Sequence, residues 1–447
     1  MDFQDIGLKV PHILLPNENV NMTKWAVVAC DQYTSEPEYW EKADKLIGGE
    51  PSTLRITFPE VYLERPDKEE RIKNINATME DYVEKGILKD HGECFILVDR
   101  KVPPSNKSRK GLVVALDLEK YDYNKGSQTL IRATEGTILD RIPPRVQIRE
   151  NAPIELPHIM VLLDDPEKKV IEPLFNEKLT KVYDFDLMMD SGHITGYKID
   201  DPKLIELIAF NIRKLANKEG FETKYQVKDV GTLLYAMGDG NHSLATAKAI
   251  WEKTKEDASD KERIINHPSR YALVELVNVH DEGLEFEPIH RVVFNANIEH
   301  MLKDMEDYYK NKGCNFSYKT YESKDEAVTK AQGLRNDDFH VVTFVNQDKF
   351  GNLLIKNPAY NLEVASLQNF LDLYLQNNKD SSIDYIHGES VVQRLSKEES
   401  NIGFILKGMD KNQLFKSVIV DGALPRKTFS MGEAEEKRFY LEARKIK

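Results

Sequence analysis

A turn rich in glycine is the segment of this sequence best suited to chemistry. The apolar run Thr232–Met237 leads directly into Gly238, Asp239, Gly240, Asn241 and His242, and a helix-forming stretch follows. Such a strand-to-helix turn exposes unpaired backbone N–H groups at the positive end of a helix dipole, where a phosphate binds favourably. Asp239 can hold a metal ion or accept a proton, and His242 can donate to a phosphate or shuttle protons. The turn is therefore a candidate anion cradle.

A purely structural interpretation explains the same turn. Gly-Asp-Gly is common in tight turns, and either Asn241 or Ser243 can cap the helix that follows. Neither the P-loop pattern nor the G-x-G-x-x-G dinucleotide pattern occurs here. From spacing alone, both interpretations stay open.

A second charged cluster spans residues 131–157, where Pro143 and Pro144 disfavour one uninterrupted helix. Guanidinium groups suit phosphate or carboxylate oxygens, and a nearby glutamate can serve as a base or metal ligand. The alternative is a solvated face in which each ion pair contributes only ~0–1 kcal/mol, and without a further reason this alternative is preferred. The candidates in this cluster are Arg132, Arg141, Arg145, Arg149 and Glu135.

A third cluster, His280–Val293, combines several carboxylates with His290 and Arg291 ahead of a β-prone run. Its histidines do not follow the H-E-x-x-H spacing, so a zinc protease is not indicated. Isolated histidines of this kind are usually structural. A G-x-S-x-G elbow is also missing from the sequence, which removes the commonest argument for an α/β-hydrolase.

A polar loop near the N-terminus supplies further candidates. Asp31 and Tyr33 follow an apolar run and can line a polar substrate pocket, although helix capping by Thr34 or Ser35 explains the loop equally well. Cys30 borders this loop. The three cysteines lie far apart without C-x-x-C spacing, so we expect reduced thiols rather than a zinc cage or a disulfide framework.

Alternating short strands and amphipathic helices must position these groups, which indicates a mixed α+β fold. The predicted strands are Cys94–Asp99, Leu112–Leu118, His158–Asp165, Thr232–Met237, Tyr271–Val279 and His340–Val345. The predicted helices are Lys68–Lys85, Pro202–Lys218, Leu244–Lys255, Ile298–Lys310 and Val364–Leu375. We expect a main region over 1–296, which contains the turn, and a C-terminal α+β region over 297–447.

Length and charge exclude several classes of protein. The chain of 447 residues is longer than one hydrophobic core usually holds, and its 40% hydrophobic content is enough for folded domains. Its formal net charge of −13 repels nucleic-acid phosphates and anionic membranes, so neither is an expected partner. The absence of a signal-peptide pattern and of a long apolar span predicts a cytoplasmic location.

Several spaced motifs, in one order, resemble the prokaryotic DUF1015 family, a domain of unknown function. The resemblance runs through nearly the whole chain and is carried by the ACDQYT loop, ITFPE at Ile56–Glu60, the TEGTILDR motif at 134–141, MGDGNHS at Met237–Ser243, GLEFEPIHRVV at Gly283–Val293 and the LPRKTF ending. A set of motifs in fixed order is far more specific than any one of them.

The family's D-G-H-H-R element is in turn similar to the nucleotide-binding signature of the ParB and sulfiredoxin superfamily, which includes SerK-type kinases of free serine. This resemblance implies a ParB/sulfiredoxin-like nucleotide-binding core and places Asp239, Gly240 and His242 in the phosphate-binding turn. The sequence departs from the pattern where Asn241 replaces a histidine and Ser243 replaces the arginine. Thr134 likewise stands where the family often has a histidine, before Glu135.

The lost arginine matters because a charge-assisted hydrogen bond contributes ~1.5–3 kcal/mol. Arg141, Arg145 or Arg291 can supply the missing charge, and His290 is a further candidate for phosphate binding. Asp239 or Glu135 is the candidate base. A cysteine is missing from the turn, which disfavours sulfiredoxin chemistry.

Together these features predict a phosphotransferase that uses ATP or ADP with Mg²⁺ and acts on a small polar metabolite with a serine-like hydroxyl. One alternative is a ParB-like nucleotide-responsive binding protein without turnover. The other is a catalytically silent descendant, in which the changes at Asn241 and Ser243 abolish phosphate affinity.

Overall fold

The computed structural model describes residues 1–103, 107–137, 142–260, 264–335 and 338–447, and within these ranges the α+β prediction is confirmed. The described residues form two compact units. Unit 1 comprises Met1–Glu285 together with Met431–Lys447, and unit 2 comprises Phe286–Ser430. The chain therefore leaves unit 1 once and returns to it at the end.

A large mixed sheet is the framework of unit 1. Its main strands, in spatial order, are Thr180–Asp186, His193–Ile199, Phe95–Val102, Lys107–Asp117, Tyr271–Asn278, Met160–Leu163, Tyr235–Asp239, Ile131–Arg132 and Tyr121–Asp122. Short strands complete unit 1. Leu8–Lys9 pairs with both Asp2–Phe3 and Lys107–Asp117 of the large sheet. Two separate pairs are formed by His12–Pro16 with Leu88–Glu93 and by Ile154–Glu155 with Arg444–Lys445.

This sheet is buried on both faces. Phe95 and Leu97 pack in one hydrophobic cluster, whereas Ile96 and Val98, which alternate with them along the same strand, pack in another. All residues of the strand Tyr271–Asn278 are buried. Burial on two faces explains why the strands read as continuous apolar runs rather than as alternating patterns.

Helices cover this sheet. Those of unit 1 are Met22–Trp25, Pro37–Ile47, Lys68–Glu84, Ile142–Arg149, Pro202–Leu215, Lys218–Tyr225 and Asn241–Asp257. Its short 3-10 turns are Gln4–Ile6, Thr53–Arg55, Glu60–Tyr62, Leu118–Lys120, Glu172–Asn176, Pro268–Arg270 and Ala434–Glu436.

Unit 2 has its own sheet and helices. Its strands, in spatial order, are Asn315–Tyr321, Lys349–Lys356, Phe339–Asn346, Ile402–Ile405, His290–Phe294 and Ser382–Ile386. Its helices are Ile298–Asn311, Lys324–Leu334, Glu363–Asn377, Glu389–Leu395 and Lys411–Asp421. Two further short strands, Phe286–Pro288 and Phe429–Met431, lie where the chain passes between the units in sequence.

The predicted elements are found, with informative differences at their ends. The predicted helix Pro202–Lys218 ends at Leu215, because the side chain of Asn217 accepts a hydrogen bond from Gly220 N at 2.9 Å and starts a second helix. Pro143 and Pro144 occupy the first turn of the helix Ile142–Arg149, where the missing N–H groups cost nothing.

The predicted division at 296/297 differs from the observed units. The strand His290–Phe294 belongs to the sheet of unit 2, so that unit begins before the helix from which the boundary was inferred. No apolar pattern marked the return of residues 431–447 to unit 1. Within the described ranges, no helix is both long and apolar enough to cross a bilayer.

Candidate functional site

The turn at the centre of the sequence analysis is shorter than predicted. Gly238 and Asp239 end the strand Tyr235–Asp239, and Asn241 begins the helix Asn241–Asp257, so Gly240 alone joins the two elements. Its φ of 79° is left-handed, a conformation that glycine adopts at little cost. The N-cap residue is Gly240, which has no side chain to cap the helix, and its carbonyl accepts hydrogen bonds from Ser243 N and Leu244 N at 3.0 Å.

Close packing within the protein accounts for both glycines. A Cβ on Gly240 would lie 3.1 Å from Ile159 Cα, and one on Gly238 would lie 2.8 Å from Met431 Cε. The glycines therefore let the turn pack against its own neighbours, which fixes the position of Asp239 between them.

A lysine from the C-terminal segment supplies a cation to the turn. Lys437 Nζ lies 3.4 Å from Asp239 Oδ2, and the lysine is buried. The other carboxylate oxygen, Oδ1, accepts a hydrogen bond from Gly240 N at 2.9 Å. Positive charge thus reaches the turn from Lys437, a residue that the sequence analysis did not consider.

The helix start also carries an unsatisfied group. The side-chain oxygen of Asn241 is buried and has no hydrogen-bond donor among the described residues. Buried polar atoms usually have a partner, so this oxygen is available to a ligand that carries an N–H or O–H group. His242, beside it, is half-buried in the first helical turn.

A chain of hydrogen bonds runs from Ser243 away from the turn. Ser243 Oγ lies 2.8 Å from His158 Nε2, and His158 Nδ1 lies 3.1 Å from the hydroxyl of Tyr440. That hydroxyl donates to Cys30 Sγ at 2.9 Å and accepts from Cys30 N at 3.2 Å. Ser243 is therefore part of an internal network.

The N-terminal loop adds carboxylates to this network. Cys30 O accepts a hydrogen bond from Glu60 N at 2.8 Å, and the Glu60 carboxylate is paired with Arg145. Burial raises the pKa of Glu60, and the charge of Asp31 adds to the effect while Arg145 opposes it. The arginine cluster thus contributes Arg145 to the site through a half-buried ion pair rather than through a solvated one.

Asp31 is kept ionised by its surroundings. Burial alone would raise its pKa, but the charge of His158, a hydrogen bond from Gln32 and the charge of Lys437 together hold the pKa below its usual value. Burial raises the pKa of the neighbouring Cys30 thiol far above its usual value, with Asp31 and Glu60 adding to the effect. This shift favours the protonated thiol over the thiolate.

Tyr33 holds an unusual conformation in the same loop. Its φ is 51°, a left-handed value that is uncommon for an aromatic residue, and its ring stacks on Tyr39 at 3.7 Å. Strained residues of this kind cluster at functional sites. The predicted role of Tyr33 in substrate binding stays a prediction.

The C-terminal segment fixes the loop in place. Ala29 N donates to Arg438 O at 3.0 Å, and Tyr440 N donates to Val27 O at 2.8 Å. These backbone bonds bring Lys437 and Tyr440 to the site from the far end of the sequence. Sequence reasoning missed Lys437, Tyr440 and His158, because each depends on long-range pairing that no local motif reveals. Glu60 ends the ITFPE motif, but the motif alone does not show that its carboxylate pairs with Arg145.

Other predicted residues lie elsewhere or are not described. Arg141 falls outside the described residues. Glu135 is half-buried and follows Thr134, whose hydroxyl donates to Met237 O at 2.7 Å, so this loop is tied to the strand that precedes the turn.

His290 and Arg291 belong to unit 2 and are fully buried there. His290 Nδ1 accepts a hydrogen bond from Leu406 N at 3.2 Å. Arg291 donates to Gln368 Oε1 at 3.0 Å and to Lys427 O at 2.9 Å. Both side chains have structural partners in their own unit, and their predicted contact with phosphate stays a prediction.

A cavity of about 140 Å³ lies beside this network in unit 1. Its polar wall includes Cys30, Glu60, Arg145, His158, Ser243 and Tyr440. The site thus combines a turn that carries a carboxylate and an ammonium group, a histidine–serine pair, and a partly open cavity next to that pair.

The sequence matches one family model, described as "Protein of unknown function (DUF1015)", over residues 13–374. No curated protein matches the chain. Among solved structures, a free serine kinase in complex with AMP aligns at 11% identity with a TM-score of 0.38, covering 75% of this chain and 92% of that chain.

Two other solved structures are similar to a comparable degree. A conserved hypothetical protein from Pyrococcus furiosus aligns at 11% identity with a TM-score of 0.34, covering 74% of this chain and 90% of that chain. SbnI with a C-terminal truncation, from Staphylococcus aureus, aligns at 8% identity with a TM-score of 0.34, covering 72% and 82%. Similarities at this level do not assign an activity.

Proposed function

The chain belongs to the DUF1015 family, and we propose that it is a nucleotide-dependent phosphotransferase acting on a small metabolite with a hydroxyl group. The observation that carries the proposal is the pair formed by Asp239 and Lys437 at the start of a long helix without a side-chain cap. A carboxylate, an ammonium group and helix-terminal N–H groups at one turn are suited to hold a phosphate and to orient a hydroxyl.

Each group has a role in the proposed transfer. The N–H groups of the helix start and Lys437 hold the phosphates of ATP or ADP, and the side-chain oxygen of Asn241 accepts a donor group from a ligand. The acceptor hydroxyl attacks the terminal phosphorus. A new O–P bond forms, the bond to the bridging oxygen breaks and leaves its electrons on the departing nucleotide, and the hydroxyl proton passes to the Asp239 carboxylate.

Lys437 takes the place of the missing family arginine in this proposal. A charge-assisted hydrogen bond to a phosphate contributes ~1.5–3 kcal/mol, whichever cation supplies it. Because Lys437 is buried, it is less screened by solvent than a surface lysine. The substitution by Ser243 is therefore compatible with phosphate binding.

A metal ion would enter with the nucleotide. The part of the chain that the structure describes contains no group of three His, Cys, Asp or Glu side chains placed to hold a metal. Mg²⁺ bound to a nucleotide needs few protein ligands, since it keeps several waters and contacts the phosphates. The Asp239 carboxylate would hold such an ion at the turn, and the ion would supply positive charge that offsets the charge of the phosphates.

A nucleotide-responsive binding protein without turnover is the second candidate. One observation favours it: residue 243 is a neutral serine, and its Oγ lies 2.8 Å from His158 Nε2. This position therefore contributes no cation to a transferring phosphate. Such a protein would use the same turn to bind the nucleotide and would release it unchanged.

Phosphorus NMR separates these functions. The purified protein is incubated with ADP or ATP, Mg²⁺ and a mixture of amino acids and neutral alcohols as acceptors, with free serine as the first amino acid. A new phosphomonoester signal supports the phosphotransferase. Nucleotide binding without a product supports the second candidate. If neither nucleotide binding nor a product is observed, the result supports the catalytically silent descendant.

A further inference from the structure

We propose that the acceptor is an alcohol with a compact apolar group, about the size of a benzene ring or a short branched chain, which occupies the cavity beside the turn. This inference rests on the proposed phosphotransferase function and names the class of its acceptor. Free serine, which carries two charges and a single side-chain carbon, fits the same cavity poorly.

The floor of the cavity is apolar and comes from three separate parts of unit 1. Ile56 and Phe58 lie on the segment before Glu60, Ile75 and Met79 lie on the helix Lys68–Glu84, and Ala152 and Ile154 lie near the short strand Ile154–Glu155. All six side chains are buried, with 8% exposure or less. Three elements therefore converge on the space without filling it.

The size of the space limits the ligand. Protein interiors are close-packed and contain few voids larger than a water molecule. A cavity of about 140 Å³ is large by this standard. Its volume is close to the ~150 Å³ of an engineered cavity in another protein that binds benzene, although the cavity described here is partly open to solvent. A group of about six carbon atoms is the corresponding occupant.

The polar wall places the hydroxyl of the ligand. Ser243 and His158 line the cavity, and Ser243 lies in the first turn of the helix that begins at Asn241. A hydroxyl bound at this pair would lie next to the first turn of that helix, and its apolar group would contact the apolar side chains of the lining.

Free serine binds unfavourably in this cavity because of its two charged groups. Its ammonium and carboxylate groups would lose their hydration against apolar side chains, which is unfavourable without ionic partners. The carboxylates and guanidiniums of the lining are already paired with each other, Glu60 with Arg145 and Glu155 with Arg149. The cavity therefore discriminates against small charged acceptors.

Benzyl alcohol is the probe for this inference, with serine and glycerol as polar comparators. Binding to the full-length protein is measured by calorimetry and by ligand-observed NMR, in the presence and absence of ADP. We expect benzyl alcohol to bind at least about tenfold more tightly than either comparator, which is the discrimination that a single apolar pocket provides.

Two substitutions test whether the cavity is responsible. Ala152→Leu fills the floor and should weaken benzyl alcohol binding about tenfold or more, while nucleotide binding stays unchanged. Ile75→Ala enlarges the floor and should shift the preference toward bulkier alcohols. Ile208→Ala, at a buried position of the helix Pro202–Leu215 that does not line the cavity, is the matched control and should leave the preference unchanged.

The outcomes separate this inference from the proposed function. If the protein phosphorylates serine and does not bind benzyl alcohol, the apolar-acceptor inference is overturned while the phosphotransferase stands. If benzyl alcohol binds, and Ala152→Leu removes that binding, but no phosphoryl transfer to any alcohol occurs, the cavity's ligand class is supported and the proposed function fails. Equal effects of Ala152→Leu and Ile208→Ala would overturn the assignment of the cavity.

Discussion

At the scale of single residues, Asp239 has the position of a base and also contributes to local structure. Its Oδ1 accepts from Gly240 N at 2.9 Å and its Oδ2 lies 3.4 Å from Lys437 Nζ. An asparagine of the same shape keeps the first contact, because its side-chain oxygen also accepts a hydrogen bond. It cannot take up a proton or attract the ammonium group in the same way. The two roles can therefore be separated by one substitution.

We expect Asp239→Asn to preserve folding while lowering phosphoryl transfer by about 10²-fold or more, the usual contribution of a positioned base. Turnover is followed by phosphorus NMR and stability by urea unfolding. Asp5→Asn, which alters an exposed ion pair with Arg213, is the control for removing a carboxylate. Full activity in Asp239→Asn would remove this residue from the proposed reaction.

Two buried histidines of unit 2 make its stability sensitive to acid. Burial lowers the pKa of His290 and of His340 to about 4. The unfolded chain, with histidine pKa values near ~6.5, binds more protons than the folded chain between these limits. Stability is therefore fully present above about pH 6.5 and falls as the pH is lowered toward 4.

At pH 5 we expect the free energy of unfolding to be lower than at pH 7 by on the order of 2 kcal/mol for each of these histidines. Replacing His340 by glutamine should remove one such contribution, so the difference in unfolding free energy between pH 7 and pH 5 becomes smaller. Urea unfolding at the two pH values measures it. His300→Gln, at an exposed position, should leave that difference as it is in the unaltered protein.

At the scale of elements, the turn depends on Gly240. Its left-handed φ of 79° and the approach of Ile159 leave no room for a side chain. Gly240→Ala should lower the free energy of unfolding by about 1–2 kcal/mol and weaken nucleotide binding, because the helix start shifts relative to Lys437. Gly49→Ala, where an added Cβ meets nothing within 4 Å, should change stability by less than about 0.5 kcal/mol. Chemical unfolding and nucleotide titration of both variants test this.

Local patterns predicted the elements well and the network of the site only in part. Apolar runs such as Tyr271–Asn278 identified strands because both faces of the sheet are buried, and the glycine-containing segment identified the strand-to-helix junction. The partners of that junction were not predictable from periodicity. His158 is a lone histidine in sequence, and only the paired strands and the returning chain bring it to Ser243 and Tyr440.

At the scale of the whole molecule, the last residues of the chain complete unit 1. Arg438 pairs with Glu275 and with Glu442, and Arg444 pairs with Glu155, all in buried surroundings. The segment contains basic and acidic residues in similar numbers. Several of them form buried ion pairs, whose acidic partners at 155 and 275 come from distant parts of the chain. Charge composition alone cannot distinguish a solvated segment from one with buried pairs, because it does not report burial.

These pairs predict where unit 1 is most sensitive to substitution. Arg444 donates to Glu155 at 2.6 Å and to Tyr271 O at 2.6 Å, and both residues of the ion pair are almost fully buried. Removing the guanidinium leaves a buried carboxylate with only Arg149 as its cationic partner. We therefore expect Arg444→Met to lower the free energy of unfolding by about 3 kcal/mol, the lower end of the range for breaking a buried ion pair, because Arg149 still compensates part of the charge.

An exposed ion pair of the same unit gives the matched comparison. Lys89 lies 2.7 Å from Glu18, and both side chains are at least half exposed. Lys89→Met should change stability by less than about 1 kcal/mol, because solvent screens such pairs. Urea unfolding of the two variants, followed by tryptophan fluorescence, measures the difference. Similar small changes in both variants would mean that the buried ion pairs of the C-terminal segment contribute little to the stability of unit 1. The positions of Lys437 and Tyr440 at the site would then have to be stabilised by other contacts.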